Sequence, residues 1–130
     1  RRAKPALVDA QGAVVLFSTV AAAQGFANHS VIAPAKAAIE GLARSLAAEW
    51  APHVRLNVVA PSLTRTPMAA FMTDNPQMAK AIGALHPLPR LGEAEDIAAI
   101  AAFLLSEQAT WITGQTIGVD GGRSTVRHKN

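Results

Sequence analysis

The chain contains no tyrosine and no cysteine. Without cysteine there are no disulfides and no thiolate metal sites. Without tyrosine no phenol can serve as a general acid or base. Aromatics are sparse, with four Phe and two Trp in 130 residues. No apolar run reaches the roughly 18–20 residues that would span a bilayer. The opening Arg1-Arg2-Ala3-Lys4 is not followed by the apolar core of a signal peptide. The expectation is a reducing, cytoplasmic setting with no membrane contact. A strong basic field is also missing. Net charge is +3, but six of the twelve basic residues lie at the two ends, and residues 5–122 hold six basic against nine acidic residues. With no basic stripe and little aromatic interleaving, nucleic acid is not an expected partner.

What is present is an alternation of apolar runs and helical patterns, of a length that allows one domain at most. Residues 2–10 read as a helix end stopped at Gln11-Gly12, with glycine as the stop. Ala13-Val14-Val15-Leu16-Phe17 is a continuous apolar run, the pattern of a strand buried on both faces. A loop of small residues follows, and then a long helix from about Ser30 to Trp50, with Pro34 moving its regular start toward Ala33. Val54 to Ala60 reads as a second strand ended by Pro61. Residues 68–85 read as short helices broken at Asn75-Pro76. Glu93, Glu95 and Asp96 sit where a helix first turn favours carboxylates, and residues 115–119 read as a third strand. This β-α-β-α-β order implies parallel crossovers and an α/β layered sheet. Ligands of such sheets bind beyond the carboxyl ends of the strands. Ser18-Thr19 and the stretch from Ser62 to Thr66 both fall there.

Four stretches together resemble the short-chain dehydrogenase/reductase family. Val14 to Thr19 is similar to the strand that bears the family's catalytic serine. Lys36-Ala37-Ala38 with Gly41-Leu42 and Arg44 to Ala47 resembles its active-site helix. Arg55 to Pro61 resembles the strand leading to its nicotinamide loop. Arg90-Leu91-Gly92, Glu95 to Ala98, Ile112 to Gln115 and Val119 to Gly122 resemble its C-terminal third. The fold implied is the C-terminal half of a doubly wound, parallel-sheet Rossmann fold. Residues 1–130 would then be a partial NAD(P)-binding domain, beginning after the Gly-rich phosphate turn and the active-site asparagine.

The resemblance also assigns roles. Lys36 would hydrogen-bond a nucleotide ribose. Four residues earlier, where the family has tyrosine, this chain has Ile32. Counting back from Ile32, the serine position is Thr19, with Ser18 beside it, and a hydroxyl there would polarise a carbonyl. His29 and Ser30 are the nearby replacements for the missing proton donor. Pro61, Ser62, Leu63, Thr64 and Thr66 match the loop that clasps the nicotinamide amide, with Ser62 in place of a usual glycine. Asp120-Gly121-Gly122 reads as a structural turn. His53, His86 and His128 show no metal-like spacing with carboxylates, and no metal site is expected.

The implied activity is hydride transfer between NAD or NADP and a small carbonyl, alcohol or activated alkene. The alternative is a non-catalytic member with an assembly or regulatory role, which Ile32 favours. The small-residue face of helix 33–50 and the C-terminal strand resemble surfaces the family uses for subunit contacts, so a homo-oligomer, a dimer or tetramer, is the expected state. Otherwise a missing N-terminal half, or another chain, would have to complete the apolar strand at 13–17.

Overall fold

Three parallel strands, β1 (Ala13–Phe17), β2 (Arg55–Pro61) and β3 (Thr116–Val119), form a sheet in the order β1-β2-β3. The computed structural model describes residues 2–127. Among the described residues five α-helices are interspersed: α1 (Lys4–Asp9), α2 (Ile32–Trp50), α3 (Ala70–Thr73), α4 (Pro76–Gly83) and α5 (Ala94–Leu105). Val14 pairs with Leu56 and Leu16 with Val58 across β1 and β2, and Val59 pairs with Ile117 across β2 and β3.

Alternation along β2 sends its residues to two layers. Leu56 and Val58 join Ala43, Ala47, Trp50 and Val54 in the main core, so α2 covers that face. The opposite face meets α5. There the Arg55 guanidinium donates to the carbonyls of Leu104 at 2.7 Å and Ser106 at 2.9 Å, so a strand side chain satisfies acceptors left open at the end of α5.

Local chemistry sets the element ends. α2 is rich in alanine, the best helix former, and Pro34 lies in its first turn, where no intrahelical donor is lost. The helix starts at Ile32, close to the Ala33 start that Pro34 implied. It stops at Ala51, which is extended ahead of Pro52. Asn75 accepts from Met78 N–H at 3.0 Å and so starts α4 at Pro76, the expected break. The Glu93 N–H donates to Asp96 at 2.8 Å at the head of α5.

Two expectations need correction. After α1 the left-handed residue is Gln11, at φ 47°, and not Gly12. Gly12 is required instead by space, because a Cβ there would come within 3.0 Å of a Leu7 methyl. β1 is not buried on both faces: it is half-buried, with Phe17 47% exposed, because it is an edge strand of the described sheet.

Candidate active site

The carboxyl ends of β1 and β2 lie side by side, and sheet pairing continues past them. Ser18 N–H donates to Val59 O at 2.8 Å, and Ser62 N–H donates to Val119 O at 3.2 Å. Backbone bonds thus fix the starting points of both candidate loops.

At the β1 end the two hydroxyls diverge. Ser18 is 6% exposed, and its hydroxyl donates to Glu40 on α2 at 2.6 Å. That bond ties Ser18 to the helix and leaves Thr19 the less strongly bonded of the two hydroxyls. Thr19 Oγ1 accepts from Ala21 N–H at 3.3 Å and donates to Pro61 O across a longer 3.4 Å. The second bond is weak enough to exchange for a substrate oxygen. One helical turn before Glu40, the Lys36 ammonium donates to Phe17 O at 3.0 Å. Lys36 is therefore held at the end of β1, with donors to spare.

The β2 end is braced by the segment before α5. Gly92 N–H donates to Leu63 O at 3.0 Å, and Arg65 N–H donates to Gly92 O at 2.9 Å. The approach is close: a Cβ on Gly92 would lie 2.9 Å from Thr64 Oγ1. Thr64 donates to Ser62 O at 3.0 Å, and Thr66 accepts from Ala69 N–H at 3.3 Å, starting the turn at Pro67–Ala69. No hydrogen bond among the described residues engages the N–H of Leu63 or Thr64.

Between these ends opens a cleft of about 860 Å³. Phe17, Phe26, Ile32, Met68 and Phe71 give it mainly apolar walls, and Thr19, Ser62, Thr66, His29 and Arg123 bring the polar groups. Of the expected site residues, Ser18, Thr19, His29, Pro61, Ser62, Leu63, Thr64 and Thr66 meet at this cleft, as does Ile32. Lys36 lies behind its wall. Ser30 is exposed and outside the lining, so it is not positioned as the replacement proton donor. His29 faces the cleft, with Nδ1 2.8 Å from Ala27 O and its ring tilted against Phe26.

Three participants do not stand out in the sequence. Glu40 holds Ser18. Arg123 lies over the Phe26 ring at 4.9 Å and donates to Ser62 Oγ at 3.5 Å. His86 is 4% exposed, with Nε2 2.8 Å from Ser62 Oγ and Nδ1 3.0 Å from Ile82 O and 3.2 Å from Gly83 O. Only the departure from glycine at position 62 hinted at this cluster. Asp120 stands close behind. Burial opposes its ionisation, but donors from Ser124 and Gly122, together with the nearby His86, outweigh burial and hold its carboxyl below the ordinary value of 3.8. Asp120 thus organises the turn after β3, as the sequence suggested.

A nicotinamide nucleotide fits this donor set. The unengaged N–H groups of Leu63 and Thr64 suit a carboxamide oxygen, and an ammonium at the end of β1 suits ribose hydroxyls. Among the described residues no group of three or more His, Asp or Glu is arranged to hold a metal ion.

The chain is similar in sequence and in fold to known proteins. A family model described as enoyl-(acyl carrier protein) reductase matches residues 1–124. L-xylulose reductase from Bos taurus is 40% identical over 114 residues, which cover 87% of this chain and 47% of that protein. A short-chain type dehydrogenase/reductase from Mycobacterium ulcerans superposes with a TM-score of 0.87 at 36% identity, covering 96% of this chain and 46% of that one. The structure of ElxO with NADP bound matches with a TM-score of 0.85 at 29% identity, over 93% of this chain and 50% of that one. The chain spans about half the length of the relatives it matches. By sequence and by fold, it belongs to the short-chain dehydrogenase/reductase family.

Proposed function

We propose that the protein carrying this chain is an NAD(P)-dependent oxidoreductase that moves hydride to or from a carbonyl, an alcohol or an activated alkene. One observation carries the reading. Thr19, the Pro61–Thr66 loop and Lys36 converge at the carboxyl ends of two adjacent parallel strands, beside an apolar cleft. The naming of relatives as reductases supports it, as does the binding of NADP by ElxO.

The cofactor, when bound, supplies or accepts the hydride. The chain supplies the rest. Lys36 holds ribose hydroxyls. The N–H groups of Leu63 and Thr64, with Thr66, hold the carboxamide. Thr19 gives up its long bond to Pro61 and donates to the substrate oxygen. The apolar walls exclude water and seat a small, largely apolar substrate. NAD and NADP are both compatible with these residues, since none of them meets the far end of the nucleotide. Cytoplasmic location and a homo-oligomeric state, or completion by an N-terminal half, belong to the same proposal. No helix among the described residues is long and apolar enough to cross a membrane.

Ile32 favours a second reading, a non-catalytic member that keeps the fold. It sits one turn before Lys36, lines the cleft and is 47% exposed. A steady-state assay of the intact protein separates the two. Nicotinamide oxidation is followed with a panel of carbonyl and enoyl substrates, before and after Ile32→Tyr. The oxidoreductase reading expects turnover already in the wild type. Turnover that arises only in Ile32→Tyr would establish the non-catalytic reading.

A further inference from the structure

We propose that Ser62, coupled to His86, is the group that exchanges a proton with substrate in this chain, in place of a side chain at position 32. The inference rests on the oxidoreductase reading above.

The geometry assigns the protons. Nδ1 of His86 faces two carbonyl oxygens, Ile82 O at 3.0 Å and Gly83 O at 3.2 Å. Carbonyls only accept, so Nδ1 carries a hydrogen. In the neutral imidazole Nε2 is then bare, and it accepts from Ser62 Oγ–H across 2.8 Å. When the imidazole is protonated, Nε2–H donates to Ser62 Oγ instead. The hydroxyl hydrogen is then released toward the cleft that Ser62 lines. Arg123, which donates to the same oxygen at 3.5 Å, favours loss of the hydroxyl proton electrostatically. A residue oriented by fixed acceptors and joined to a hydroxyl at a cleft wall is the arrangement acid–base chemistry requires.

His29 is the imidazole that lines the cleft itself, whereas His86 reaches it through Ser62, but the His29 Nδ1 turns to the nearby Ala27 carbonyl and no hydroxyl is joined to it. Ser62 is also next to Pro61, whose carbonyl receives the Thr19 hydroxyl. The proton donor and the polarising hydroxyl therefore stand on neighbouring segments.

The balance is simple. In reduction the substrate carbonyl carbon gains hydride from a reduced nicotinamide, and its oxygen takes the Ser62 proton. Ser62 recovers a proton from the imidazolium, leaving neutral His86. Oxidation runs the same path backwards. The charged groups around His86 are Asp120 and Arg123 beyond β3, and Arg90 and Asp96, which share a pocket of about 240 Å³ with it.

The test uses the intact protein, with an aliphatic α-diketone and a crotonyl thioester as probes. Ser62→Ala and Ser62→Gly are compared with wild type for nucleotide affinity, for kcat against pH, and for the 15N resonances of His86. The expected result is kcat lowered by about 10²–10⁴-fold in both variants, a loss larger than any change in nucleotide affinity. The wild-type reduction rate falls as pH rises through one ionisation, and the variants lose that dependence. The His86 spectrum shows a proton on Nδ1, with an Nε2 resonance that moves when Ser62 is replaced. Wild-type kcat and pH dependence in both variants, or a neutral His86 protonated on Nε2, would overturn the inference alone. A wild-type protein that binds nucleotide but reduces neither probe overturns it as well. Failure to bind either nucleotide removes the oxidoreductase reading and this inference together.

Discussion

Asp96 shows how single residues hold the loops that build the site. Its carboxylate takes two bonds from the Arg90 guanidinium, at 2.6 and 2.9 Å, and one from Glu93 N–H at 2.8 Å. The Arg90 bond, then the backbone bond, pull its pKa from 3.8 to about 2. A carboxyl depressed in the folded state adds stability that is complete above its unfolded value. That contribution is lost as pH falls through the folded one. The window here runs from near 4 down to about 2. The side chain is partly exposed and its Arg90 partner more so, so the effect on global stability is small. A carboxyl 13C titration by NMR should place the Asp96 midpoint near 2. A midpoint at the ordinary value of 3.8 would show that the Arg90 pair does not form in solution. The Arg90-Leu91-Gly92 stretch was legible as a family motif in sequence. Its ion pair across the turn to Asp96 was not, because nothing in the spacing specifies that a turn will fold back.

Among the elements, β2 carries the most of the structure, and Asn57 is its polar centre. It is 1% exposed, donates to Ile112 O at 2.9 Å and accepts from Gln115 N–H at 3.1 Å. Asn57→Ala strands both groups, at about 1–3 kcal/mol each. Urea denaturation should show a loss of at least about 2 kcal/mol, and a loss under about 0.5 kcal/mol would contradict this account of the β2–β3 join. The strands and helices themselves were readable. A run such as Ala13 to Phe17 fits a strand, and an alanine-rich stretch ending before Ala51-Pro52 fits a helix. How well β1 would be covered was not readable, because periodicity reports the faces of a strand and not its neighbours. Site residues divide in the same way. Thr19, Lys36 and the Pro61–Thr66 loop lie in local motifs and could be named from sequence. Ser62 and His86 are 24 residues apart, and Ser62 and Arg123 are 61 apart, so only the tertiary fold brings them together. Ser18 and Thr19 could not be told apart by contact in the sequence, because sequence cannot say which of two adjacent hydroxyls turns toward Glu40.

In the whole molecule, the described sheet is three strands wide, and β1 presents an unpaired edge beside the site. An edge of this kind invites another strand, which accords with relatives about twice the length of this chain. Lys36 stands behind the cleft wall, bonded to the carbonyl of Phe17 at the end of that strand. The central claim is that this half of the fold binds the nicotinamide end of a dinucleotide through Lys36 and the loop after β2. Equilibrium binding of NADH and NADPH to the intact protein, followed by nucleotide fluorescence in the wild type and in Lys36→Ala, tests that claim most directly. Loss of a charge-assisted hydrogen bond is worth about 1.5–3 kcal/mol, so Lys36→Ala should weaken binding by about 10- to 150-fold with the fold intact. Binding of neither nucleotide by the wild type, or equal affinities in the wild type and Lys36→Ala, would contradict it.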